Sequence, residues 1–236
     1  MAEEKIALFL HGFQDQPFDP KEKGMAITER LSKDGWKVFS LSYSEMISAS
    51  QGLPGTIYVP GDCGFAFPTK EPLSYCTDRL SKKIDELGIK KIDVVIGHSM
   101  GGMVACDLAK RYRKYAIKAV IMLETPILGL PAWLLRIWRF VSQKRASFSW
   151  PSIQNMRDDS IFATELNKDW PKNICRYEIA GSLSVMLKKF YNIPKEIPIK
   201  VFPKVKHDGP TGLRTNPEVL EYIATLLEFL TIWGSL

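Results

Sequence analysis

Gly97-His98-Ser99-Met100-Gly101-Gly102 lies between two segments of different periodicity. Residues 91–96 (Lys-Ile-Asp-Val-Val-Ile) form a short β-branched run that predicts a buried strand, and Met100 to about Arg113 predicts a helix. A serine between strand and helix, with a glycine two residues to either side, fits G-x-S-x-G. The chemistry explains the spacing. A sharp, strained turn lifts the Ser99 hydroxyl above the sheet, and the glycines keep neighbouring chains from colliding with that turn. The amide of Met100 then points at the oxyanion formed when Ser99 attacks an acyl group, and the helix dipole has the same sign. A phosphate loop fits less well, because the stretch lacks both the Lys-Ser/Thr of a P-loop and the three spaced glycines of a dinucleotide fingerprint.

Outward from this turn, strand and helix patterns alternate. Residues 5–10 read as a buried strand followed by the turn His11-Gly12-Phe13, a weak helix spans about 24–32, and residues 36–41 read as a second strand. Leu73, Leu80, Ile84 and Leu87 share a helical face that Gly88 ends. Further strands are expected at 117–123, 174–180 and 197–202. The last helix has Asn216 as its cap, Pro217 at its first position, and Val219, Leu220, Ile223, Leu227 and Leu230 on one stripe. This alternation predicts a single α/β domain over residues 1–236, with a mainly parallel sheet of about six strands and helices on both faces. Two insertions interrupt it: a long loop at about 44–72, rich in Pro and Gly, and a cap at about 126–171 with its own amphipathic segment. Ligands in such sheets bind beyond the carboxyl ends of the strands, and both insertions leave from that edge.

Composition removes other classes. The 236 residues are 45% hydrophobic, enough for a substantial core, and no repeat or low-complexity segment appears. Only His11, His98 and His207 are histidines and the four cysteines show no CxxC spacing, so no metal or other cofactor is expected. The acidic start Met1-Ala2-Glu3-Glu4 is unlike a secretory signal, which predicts a cytoplasmic protein with reduced thiols. A disulfide between Cys63 and Cys76 is the competing reading. Residues 119–138 look apolar enough to span a membrane until Glu124, Pro126, Pro131 and Arg136 are counted. The net charge of +6 is a mild excess that suits an anionic surface without requiring nucleic acid.

With these motifs in place the sequence resembles the α/β-hydrolase superfamily, in particular its compact serine esterases and lipases, over nearly the whole chain. The resemblance implies an α/β-hydrolase fold and gives roles to further residues. His11-Gly12-Phe13 is similar to the family's oxyanion loop, which makes the amide of Phe13 the second oxyanion donor beside that of Met100. The family's order of serine, acid and histidine makes His207, between the last strand and the last helix, the base. The acid commonly follows the fifth of these strands, but Ser184 stands in that place. Three alternatives remain: Glu124 at the tip of the fourth strand, as in some lipases; Asp208, whose adjacency to His207 places it poorly; or a Ser–His dyad. A carboxylate is favoured, because loss of this partner costs about four orders of magnitude in a serine protease, and Glu124 is the candidate.

Thr125-Pro126-Ile127-Leu128-Gly129 is similar to the stretch that leads into the lid of many lipases, and residues 159–167 to a structural segment of lipase-like members. Between them Trp133, Leu134, Ile137 and Trp138 share a helical face opposite Arg136 and Arg139. That pattern suits a helix resting on a lipid interface, or one burying its stripe on the core, and a lid does both. The expectation is therefore a serine hydrolase cleaving carboxylic esters through an acyl-enzyme. Its partners would be a small-molecule ester or lipid substrate and, transiently, a lipid interface that keeps the protein peripheral to a membrane. Alternatives are a thioesterase, acyltransferase or amidase on the same machinery, and a catalytically weak ligand-binding member of the fold.

Overall fold

All six runs expected as strands join one sheet, together with two strands that were not expected. A computed structural model describes residues 4–12, 25–41, 50–51, 56–59, 71–131, 151–182, 196–207 and 211–232. In chain order the elements are β1 (Ile6–Leu10), α1 (Met25–Lys33), β2 (Lys37–Leu41), β3 (Ser50–Gln51), β4 (Thr56–Val59), α2 (Leu73–Glu86), β5 (Val94–His98), α3 (Met100–Arg111), β6 (Ala119–Leu123), α4 (Pro151–Asn155), α5 (Ile161–Asn167), β7 (Cys175–Gly181), β8 (Ile199–Phe202) and α6 (Pro217–Ile232). The sheet order is β3-β4-β2-β1-β5-β6-β7-β8, and every pairing is parallel except that of β3 with β4.

The long loop expected at 44–72 is thus partly sheet. Thr56-Ile57-Tyr58-Val59 is a β-branched and aromatic run, and it extends the sheet by pairing with β2 from Val38↔Thr56 to Leu41↔Val59. The surrounding prolines and glycines masked that signal. The strand expected at 91–96 also shifts, to 94–98. The buried Asp93 accounts for its start: Oδ2 accepts from the Ile6 amide at 2.9 Å, and Lys91 pairs with Oδ1 at 2.9 Å. A side chain does the work of a ladder carbonyl there, so regular pairing begins one residue later.

Alternation along the strands divides the core in two. Leu8, Leu10, Val95, Val120 and Met122 face α2, α3, α4 and α5, while Ala7, Phe9, Val94, Ile96, Ile121 and Leu123 face α1 and α6. Helix ends follow the sequence signals. Gly88 at φ +70° closes α2, with the Ile89 amide donating to the Ile84 carbonyl at 3.1 Å, and Asn216 Oδ1 accepts from the Glu218 amide at 2.9 Å to start α6. The amide of Leu73 at the start of α2 donates instead to Asn155 Oδ1 at 2.8 Å, which ties α4 to α2. Cys76 is a buried free thiol, pushed up to about 12 by desolvation. Among the described residues no helix is long and apolar enough to cross a membrane.

Candidate active site

β5 ends in the middle of the sheet, and Ser99 follows it with φ 53° and ψ −124°. An L-residue held there stores about 1–3 kcal/mol, so the surroundings must over-determine the turn. Two backbone bonds do so: the Ser99 amide donates to the Leu123 carbonyl at 2.8 Å, and the Ser99 carbonyl accepts from Gly102 at 3.0 Å. Close packing does the rest. A Cβ on Gly97 would lie 2.5 Å from the Gly101 carbonyl oxygen, and one on Gly101 would collide with the carbonyl of His11. Met100 opens α3, so its amide belongs to the first turn, where no helical carbonyl is available to accept.

The neighbouring strand ends in a second strained residue. Glu124 has φ 51° and is almost wholly buried. Its amide donates to the Ile179 carbonyl at 2.9 Å and its Oε1 accepts from the Gly181 amide at 3.0 Å. Its Oε2 lies 2.5 Å from Nδ1 of His207, whose side chain is 37% exposed against 2% for Glu124. A carboxylate can only accept, so this contact places a proton on Nδ1, and in the neutral imidazole the lone pair is then on Nε2. The structure therefore brings Glu124 and His207 together across 83 residues.

His207 is also next to the elbow. His98 Nε2 is 3.0 Å from the His207 carbonyl oxygen, and the two imidazole centroids are 4.5 Å apart. On the other side of the elbow is the turn after β1. A Cβ on Gly12 would come 3.0 Å from His98 Nδ1 and 3.3 Å from Ser99 Cβ, and His11 Nδ1 contacts the Gly12 carbonyl at 2.8 Å. Three strand ends thus converge on Ser99. Phe13, the lid candidates Trp133, Leu134, Ile137 and Trp138, Ser184 and Asp208 lie outside the described residues. Among the described residues no group of three or more His, Cys, Asp or Glu side chains gathers to hold a metal ion.

Sequence reasoning missed the groups that hold Glu124 in place. Glu178, buried in β7, accepts from the Thr125 amide through Oε1 at 3.0 Å and so fixes the residue after Glu124. A carboxylate four residues inside a strand bordering the core was the available signal. The segment at 159–167 supports the same turn from the other side: Ser160 caps α5 by accepting from Ala163, Asn167 Nδ2 donates to the Ile127 carbonyl at 2.7 Å, and Arg176 Nη1 donates to Asn167 Oδ1 at 3.0 Å.

Comparison with known proteins agrees with this layout. No match was found among curated protein sequences. Solved structures similar to this chain include an α/β hydrolase enzyme, MGS-MChE2, from the metagenome of sediments of the Mar Chica lagoon in Morocco (17% identity, 98% of this chain and 93% of that one, TM-score 0.56). The lipase BlEst2 of Bacillus licheniformis is also similar (12%, 96% and 93%, 0.58), as is a monoacylglycerol lipase of Paleococcus ferrophilus (13%, 94% and 93%, 0.53). At these identities the likeness is one of fold. The family profile described as alpha/beta hydrolase fold matches residues 8–150, more than half of the chain. With the central Ser99 elbow and the parallel sheet around it, the chain belongs to the α/β-hydrolase fold family.

Proposed function

We propose that this protein is a serine hydrolase that cleaves carboxylic esters, with Ser99 as nucleophile, His207 as base and Glu124 as acid. The observation that carries the reading is the Glu124 Oε2 contact with His207 Nδ1 beside the strained Ser99 turn. It sets the imidazole tautomer that a base needs: Nε2 takes the Ser99 proton as Oγ attacks the carbonyl, and the buried carboxylate stabilises the imidazolium that results. The amides of Met100 and Phe13 receive the oxyanion. Nε2–H then protonates the leaving alcohol, and water activated by the same nitrogen releases the acid. The non-catalytic reading drew its support from Ser184 at the common acid position. Glu124 supplies that carboxylate from the neighbouring strand.

For the substrate, the Trp133, Leu134, Ile137 and Trp138 stripe favours an acyl chain, and the lipases among the structures of like fold are in keeping with this. Arg136, Arg139, Lys144 and Arg145 close to that stripe would attract an anionic lipid or an acid-bearing ester. The test is turnover of p-nitrophenyl esters of increasing chain length by wild type and Ser99→Ala. Ser99-dependent hydrolysis that rises with chain length is expected. Equal rates in the two proteins would end the hydrolase reading, and a maximum at acetate would end the acyl-chain one.

A further inference from the structure

We propose that His98 is a positioning residue that ties the loop carrying the base to the turn carrying the nucleophile. This rests on the hydrolase reading and extends it to a side chain which that reading leaves idle. At the end of a buried strand an apolar side chain would fill the space at lower cost, since a buried imidazole must recover its lost hydration through hydrogen bonds. His98 is 2% exposed, and its Nε2 is directed at the main-chain oxygen of His207 at 3.0 Å. A carbonyl only accepts, so Nε2 of His98 carries a proton and donates.

Three further contacts define what the bond does. The His98 ring packs against the His207 ring at 4.5 Å between centroids and 36° between planes, so it supports the base as well as its backbone. The Gly12 backbone packs close to Nδ1 of His98, so that a Cβ at position 12 would sit tightly against the ring at 3.0 Å. The loop's other described backbone ties fall before residue 207: the Lys204 amide donates to Ser182 Oγ at 2.7 Å, the Lys206 carbonyl accepts from Leu213 at 3.1 Å, and the Lys206 amide donates to Thr211 at 3.4 Å. His98 therefore grips residue 207 itself. Glu124 fixes one end of the imidazole and His98 the backbone that bears it, so the direction of Nε2 relative to Ser99 is set by a neighbour of Ser99 in the chain. Without the tie the base keeps its tautomer and loses its aim. A displacement of about 1 Å in such a group costs about 100-fold in rate.

The test compares His98→Leu, which fills the space without a donor, with His98→Gln, whose amide nitrogen reaches about as far as Nε2, both measured on an ester substrate. The Leu variant is expected to lose about 10- to 100-fold in kcat, with KM and melting temperature close to wild type, and the Gln variant to regain most of the loss. A Leu variant within twofold of wild type overturns the proposal. So does a folded Gln variant as slow as the Leu variant. A second readout is independent of turnover and of how either variant folds. Long-range imidazole 1H–15N spectra of the wild type contain only three histidines, and they must show His98 protonated at Nε2. An Nδ1–H tautomer overturns the tie itself. Absence of Ser99-dependent turnover beside an Nε2–H His98 would instead remove the hydrolase reading and leave the tie standing.

Discussion

Two adjacent strands, β5 and β6, end in the same unusual way and are held there by different means. Ser99 and Glu124 are both non-glycine residues at φ near +50° at the carboxyl edge of the sheet. At Ser99 the turn is enforced by backbone packing: Gly97 and Gly101 remove the atoms that would collide with α3 and with the carbonyl of His11. At Glu124 it is enforced by polar groups: Gly181 donates to its Oε1, and the Glu178 carboxylate accepts from Thr125. The glycines that permit the first turn lie within six residues of one another, whereas the polar partners of the second are more than fifty residues away in the chain. Ser99 and Glu124 are both strained, yet only the first has a local sequence signature.

The largest effect should come from the polar turn. Glu124→Gln keeps the shape of the side chain but offers His207 an amide that can donate, which favours the wrong tautomer. In steady-state kinetics kcat should fall by about four orders of magnitude, with little change in melting temperature. The packed turn should respond in stability. Gly101→Ala drives a methyl group into backbone that cannot move aside, so urea unfolding should show a loss of about 3 kcal/mol. Unchanged stability would mean that the elbow is not sterically determined.

The difference in effects parallels the difference in legibility. The elbow, the six strands that run from β2 to β8 in the sheet order and the cap of α6 could be read from the sequence because each depends on residues close in the chain: Gly97 to Gly102, runs of apolar residues, and Asn216 before Pro217. β4 could not, because four residues among prolines acquire strand geometry only from pairing with β2. Glu124 remained one of three candidates for a related reason. Its contacts with Gly181 and His207 exist only after β6 and β7 pair in register, Leu123 with Ile179. Glu178 showed only as a carboxylate inside a strand bordering the core, and the role of His98 had no local signal.

Glu178 offers a finer test of the polar turn. Glu178→Gln keeps an oxygen to accept from Thr125, whereas Glu178→Leu leaves that buried amide without its acceptor, at a cost of about 1–3 kcal/mol. The Leu variant should melt lower and turn over more slowly than the Gln variant. Equal behaviour would show that the carboxylate oxygen is not what holds the turn. The smallest effect is expected away from both strand ends. Asn155→Ala removes the acceptor of the Leu73 amide at the start of α2 and should cost about 1 kcal/mol in thermal or urea unfolding, with kcat unchanged. A marked fall in kcat would mean that the tie at Asn155 reaches the site.

The central claim is that Ser99, His207 and Glu124 act as one unit, and the rate at which a fluorophosphonate labels the protein tests it most directly. Mass spectrometry should place a single adduct on Ser99 in wild type, and the second-order labelling rate should fall at least about a thousandfold in Glu124→Gln. An adduct elsewhere, or equal labelling rates in the two proteins, would contradict it.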